Sequence, residues 1–188
     1  MAETLLRARL ADRAPEVEIG SVGILFDDRP AERGAVKAMA RRGIDLAPFR
    51  SRIMSAELLE NTSLVLGMER IHVREAAVLG NVFGHAYTLR ELVADAELFG
   101  PRSDEPLRDW ATRIGRLRTP TDYLVDQPGT AVDDPMGQSR RAFRTCADEI
   151  DRLLGRLVTL AWPPPVEARS VAPDLLAALD LPTADGGT

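Results

Sequence analysis

Asp134 stands directly before Pro135 in Val132-Asp133-Asp134-Pro135-Met136-Gly137. A residue that precedes proline is pushed out of the helical region, so the Asp134 carboxylate can project from its loop. A projecting carboxyl group can hand a proton to a leaving group. Taken alone, an Asp-Pro pair reads first as an ordinary turn ahead of a helix. Cys146 is the single cysteine and therefore the one thiol nucleophile. It lies three residues after Phe143 and four before Ile150, on the apolar stripe of a helical pattern, where a buried structural cysteine is the expected reading. Arg152 is six residues further on, but one helix would carry it away from any loop shared with the thiol. His72 and His85 are the only histidines. They are isolated from any carboxylate cluster, so no metal site is predicted.

The elements that must position these groups are legible from periodicity. Residues 2–13 place Leu5, Leu6 and Leu10 on one helical face before Pro15. Glu16 to Ile19 alternates as a strand with one wet face. Ala31 to Arg42 is helical, with Gly43 at the position after the C-cap. Ser55 can cap a short helix through Glu60. Ser63-Leu64-Val65-Leu66-Gly67 reads as a strand covered on both faces, as parallel sheets require. Glu69 to Leu79 is helical, Val82 to Tyr87 a weaker strand, and Thr88-Leu89-Arg90-Glu91 a capping box opening the next helix. Leu107, Trp110, Ile114 and Leu117 place a helix within 100–130. Gln138 or Ser139 starts a long helix whose buried stripe is Ala142, Phe143, Cys146, Ile150, Leu153, Leu154 and Leu157, stopped at Trp162-Pro163. Strands alternating with helices predict an α/β fold with a parallel sheet. The domain is assigned to residues 1–162, with a Pro/Ala-rich, linker-like tail over 163–188 that holds one apolar turn at Leu175–Leu181.

Six segments in order resemble the low-molecular-weight protein tyrosine phosphatases: Met1-Ala2-Glu3-Thr4-Leu5-Leu6-Arg7, Ile19-Gly20-Ser21-Val22-Gly23, Gly43-Ile44-Asp45-Leu46 with Arg50-Ser51-Arg52, Leu64-Val65-Leu66-Gly67-Met68 with His72, Tyr87 to Glu91, and Val132 to Gly137. The resemblance implies a three-layer sandwich around a four-stranded parallel sheet of order 2-1-3-4, here without the first, central strand. It implies that Asp134 is the general acid, that Ser21 and Ser51 support the phosphate loop, and that Phe26 and Met136 line the pocket rim. Met136 stands where the family often has an aromatic shelf, and Phe49 where it usually has His. Local turn capping is the alternative for both serines, and core packing the alternative for Phe26.

In that family the first helix follows a strand and a loop of form C-x-x-x-x-x-R-[S/T]-P, which supplies the nucleophile and the anion cradle. Met1 matches a position just after that loop. The resemblance therefore implies a mis-assigned or truncated start, with a strand of about 5 to 6 residues plus the loop lying upstream. As written, the chain lacks the nucleophilic Cys and the phosphate-binding Arg, and no turnover is expected. Completed, it would act on a phosphotyrosine protein or a small aryl phosphate, with no cofactor. A non-catalytic phosphatase-like binding module is the alternative. An arsenate reductase is disfavoured, because that chemistry needs further redox cysteines.

Composition narrows the partners. With 24 basic against 29 acidic residues and a formal net charge of −5, a nucleic-acid partner is not predicted. Arg41-Arg42 and Arg140-Arg141 are short charge runs that read as solvated faces. One cysteine excludes an internal disulfide and fits a reducing compartment. No run approaches the ~18 apolar residues of a membrane span. The cytoplasm is the predicted location.

Overall fold

The architecture is that of a computed structural model, which describes residues 1–164. From residue 165 the tail assigned above, including Leu175–Leu181, lies outside the described residues. The elements in chain order are α1 (Ala2–Leu10), α2 (Arg33–Ala40), α3 (Ala56–Glu60), β1 (Val65–Gly67), α4 (Arg70–Gly80), β2 (Ala86–Thr88), α5 (Leu89–Phe99), α6 (Leu107–Ile114), a single 3₁₀ turn (Pro120–Tyr123) and α7 (Arg140–Ala161).

The two strands pair in parallel, with Val65 opposite Ala86, Leu66 opposite Tyr87 and Gly67 opposite Thr88. α4 is the crossover that joins them. Successive residues of β2 enter different cores: Ala86 packs with Met54, Leu59, Val73 and Ala77 on the α4 side, whereas Tyr87 packs with Leu92, Trp110, Ile114 and Leu154 on the other. This is the alternation of a strand buried on both faces, and it gives the helix–sheet–helix layering of an α/β sandwich. α7 is the spine of the larger core, with α1, α2 and α5 all packed along it.

Local chemistry explains where the elements start and stop. Thr88 Oγ1 accepts the Glu91 N–H at 3.2 Å while Glu91 Oε2 accepts the Thr88 N–H at 2.9 Å, the reciprocal capping box predicted for α5. Ser55 accepts from Leu58 N–H at 3.3 Å, and Ser139 accepts from Ala142 N–H at 3.3 Å. Gly43 takes φ +72° at the end of α2, and the Ile44 N–H reaches the Met39 carbonyl at 3.1 Å, closing the helix in a Schellman arrangement. Gly84 at φ +91° turns the chain just before β2. That turn confines β2 to Ala86–Thr88, shorter than the strand expected from Val82.

Segment 17–19 is not a strand. Its backbone is satisfied locally instead: Val17 N–H donates to Ala14 O at 3.1 Å, and Arg7 Nη2 donates to Ile19 O at 2.6 Å. Val17 and Ile19 still pack on the larger core, so the alternating pattern reported burial without ladder formation. The edge of β1 away from β2 forms no ladder among the described residues.

The segment from Gly115 to Ala131 is tied down by Arg118. Its guanidinium lies 4.3 Å from the Tyr87 ring centroid and 4.5 Å from that of Tyr123, and its Nη1 donates to Ala86 O at 2.7 Å. Lysine could not replace it, because only a planar guanidinium stacks on two rings while donating in its own plane. Among the described residues no helix is long and apolar enough to cross a membrane.

Candidate active site

The Asp134 loop is built from both ends. Upstream, Val132 N–H donates to Met68 O at 2.8 Å, which fastens the loop to the chain leaving β1. Downstream, Pro135 is buried and Gly137 takes φ +73° before Ser139 caps α7. Between them Asp134 Oδ1 accepts the Met136 N–H at 2.9 Å, and Gln138 Nε2 donates to the Asp134 carbonyl at 2.8 Å. The carboxylate is held by its own loop and remains exposed.

Asp134 borders a cavity of about 320 Å³ between this loop and the first turns of α7, together with Asp133, Arg141, Thr145, Cys146 and Glu149. Cys146 is only 7% exposed. Burial pushes its thiol above the ordinary range, and the Glu149, Asp134 and Asp133 carboxylates push the same way, against the opposing Met1 ammonium. The Met1 ammonium is itself buried, which lowers its pKa. The N-terminus of α1, the thiol and the acid loop are thus near enough to feel one another's charge. Glu3, in the first turn of α1, accepts from Ser21 Oγ and pairs with Arg7 at 2.7 Å.

The predicted site residues divide. Asp134 reaches the cavity, and Ser21 sits against the first turn of α1. Ser51 lies on a separate turn, where its Oγ accepts the Arg29 N–H at 3.0 Å. Phe26, 59% exposed, is on that same stretch with the Arg29 guanidinium 5.8 Å from its ring. Met136, 62% exposed, turns outward from the acid loop. None of Ser21, Phe26, Ser51 and Met136 lines the Asp134 cavity. Arg141, Thr145 and Glu149 do; the sequence marks Arg141 only as part of a solvated charge run and does not mark the other two. Their spacing with Gln138 (three, four and four residues) is a polar helical face that periodicity could have revealed.

Chemically, the cavity sets the Asp134 carboxyl group beside a thiol whose burial disfavours ionisation. Three carboxylates face one guanidinium in its lining, the wrong sign for a phosphoryl dianion. Among the described residues no group of three or more His, Cys, Asp or Glu side chains could hold a metal ion.

Comparison with known proteins gives the fold a lineage. Residues 1–106 match the family model described as low molecular weight phosphotyrosine protein phosphatase. A probable low molecular weight protein-tyrosine-phosphatase, EpsP, of Ralstonia nicotianae is 35% identical over 89 residues, which are 44% of this chain and 59% of EpsP. The chain thus spans well under two thirds of that curated relative. Among solved structures, a Cys-to-Ser mutant of the arginine phosphatase YwlE with a phosphorylated active-site serine superposes with TM-score 0.61 at 22% identity, covering 84% of each chain. The tyrosine phosphatase amsI of Erwinia amylovora gives TM-score 0.59 at 18% identity, covering 84% of this chain and 81% of its own. At such identities these two structures speak for the fold alone.

Proposed function

The chain belongs to the low molecular weight phosphotyrosine protein phosphatase family, and from that premise we propose that residues 1–162 form a phosphomonoesterase-type domain in which Asp134 is the proton donor. The observation that supports this reading most is that the Asp134 loop and the buried Cys146 border one cavity, with the Met1 ammonium at the start of α1 close enough to act on the thiol. In the proposed reaction a thiolate attacks phosphorus and the bond to the aryl oxygen breaks. Asp134 delivers its proton to that oxygen, so the leaving group departs as a neutral phenol. The substrate class is a phosphotyrosine protein or a small aryl phosphate. Ser21 and Ser51 would brace the phosphate loop, and Phe26 and Met136 would border the entrance.

Cys146 is not the nucleophile in this proposal. The nucleophile needs positive potential to ionise at neutral pH, and Cys146 is buried among carboxylates. Its offset to Arg152 lies within α7, where the two cannot share one loop. No residue of this sequence therefore fills the roles of thiolate and anion cradle, and the chain alone is proposed to be without turnover. A strand and a C-x-x-x-x-x-R-S-P loop joined ahead of Met1 would reach the free edge of β1 and close onto α1, whose N-terminal N–H groups favour an anion.

The test is p-nitrophenyl phosphate hydrolysis by the chain alone and by the chain carrying that added strand and loop. Activity only in the second is the expected result. A well-folded but inert completed protein would instead support a non-catalytic binding module. Turnover by the unmodified chain that Cys146→Ser abolishes would overturn the assignment of the nucleophile.

A further inference from the structure

Two arginine runs that look like separate solvated faces in the sequence meet across one seam. α2 and α7 pack with Gly34 against the Phe143 ring, so closely that a Cβ at Gly34 would lie 2.4 Å from Phe143 Cδ2. Alongside this contact Lys37 and Arg41 project from α2, and Arg140 and Arg144 from α7. All four border a cavity of about 210 Å³ whose lining includes no carboxylate. All four are exposed, and none forms an ion pair among the described residues. The neighbouring carboxylate of Asp148 is already taken by Arg42.

Lys37 in the last turn and Arg41 at the C-cap of α2 suit the negative end of that helix, but the pairing of like charges and the start of α7 run against local rules. Lys37/Arg41 and Arg140/Arg144 are each like-charge pairs four apart on a helix, which repel. Arg140 and Arg141 open α7, and its first turn holds no acidic residue. They therefore sit at the positive end of the helix dipole, where anions are favoured. In a chain with more acidic than basic residues, four unpaired cations around one small cavity are a concentration that composition does not explain. Conflicts of this kind are where functional sites are expected.

We propose that the α2–α7 cavity binds an anion bearing two or more phosphoryl groups. Three guanidiniums offer planar forks that match phosphate oxygens, and Lys37 adds a mobile point charge. Two phosphoryl groups are needed to answer four cations, and the depression of about 210 Å³, open to solvent, has room for them. The site is separate from the Asp134 cavity, and its occupancy does not depend on whether that cavity turns over.

The experiment is calorimetric titration of the full chain at low ionic strength with inorganic pyrophosphate, orthophosphate and a doubly phosphorylated peptide. Pyrophosphate or the peptide should bind at least about tenfold more tightly than orthophosphate, with affinity falling as salt screens the charges. Lys37→Gln combined with Arg144→Gln should weaken binding by about tenfold or more. Both side chains are exposed, and an unchanged circular dichroism spectrum would confirm an intact fold. Arg74→Gln, half-buried on α4 and away from this seam, should change nothing. Binding by pyrophosphate identifies a free oligophosphate as ligand, and binding by the peptide alone identifies a phosphorylated protein. No preference over orthophosphate, or undiminished affinity in the double variant, would overturn the proposal.

Discussion

The first turns of α7 separate two cavities that differ in almost every property except their proximity. On one side Asp133, Asp134 and Glu149 surround a thiol that is buried and held protonated. On the other, Lys37, Arg41, Arg140 and Arg144 stand in solvent with no ion-pair partner among the described residues. A single helix sorts these charges because residues three and four apart share a face. Arg141, Thr145 and Glu149 look toward the acid loop, and Arg140 and Arg144 look toward α2. The contrast teaches that charge alone does not mark the reactive side of this domain. The acidic side carries the proposed proton donor, and the basic side the proposed anion site.

The harshest way to break that division is to remove the proposed proton donor. In the protein completed with the strand and phosphate loop, Asp134→Asn should lower turnover of phenyl phosphate by about 10² to 10⁴. The loss should be smaller for p-nitrophenyl phosphate, whose leaving group needs little protonation. Equal losses on the two substrates would take Asp134 out of the acid role.

The basic side can be broken mechanically. Gly34→Ala forces a methyl group into the Phe143 ring and should cost about 1–3 kcal/mol by overpacking. For a domain of this size that is a fall in Tm of about 2–4 °C for each kcal/mol. Pairing it with Phe143→Leu should cost less than the sum of the two single changes, because the residues share one contact. Additive costs in urea unfolding would mean that the seam is not held at this point.

The smallest effect sharpens the comparison most. The folded-state pKa of Cys146 is raised, so the fold favours the neutral thiol. The stability this contributes is present below the unfolded thiol's pKa and is lost as pH rises through the folded one. Glu149→Gln removes one of the charges that raise it and should speed iodoacetamide alkylation at mildly alkaline pH by a few-fold, since the rate follows the thiolate fraction. Arg144→Gln, on the other face, should leave the rate nearly as it was. A matching response to both changes would show that α7 does not insulate one cavity from the other.

Much of the scaffold was legible in the sequence because the signals were local. The capping box at Thr88 and Glu91, the stop at Gly43 and the stripe from Phe143 to Leu157 each depend on residues within a turn or two of one another. Segment 17–19 misled because alternation reports which side chains are buried, and a ladder additionally needs a partner strand. Gly84 shortened β2 through a left-handed turn that the apolar pattern around it did not reveal. For the site, the exposed loop that carries Asp134 was readable from Pro135 and from its place ahead of a long helix. Glu149 was hidden, because its meaning depends on what α7 faces. The cation cluster was hidden for a deeper reason: Arg41 and Arg140 lie about a hundred positions apart, and only the tight Gly34–Phe143 contact makes them neighbours.

The hydrogen bond from Val132 N–H to Met68 O, at 2.8 Å, has a practical corollary. It anchors the chain just before Asp134, after the exposed stretch Leu124–Gly129 and the left-handed turn at Gly129 (φ +81°). Slack introduced ahead of the anchor is absorbed before it reaches the carboxylate. Exposed turn tips of this kind accept foreign sequence readily, so a fluorescent reporter, an epitope or a whole guest domain spliced between Gln127 and Gly129 should be carried without displacing the acid. That makes this bend the natural handle by which the protein could be tagged, immobilised or tethered to another module.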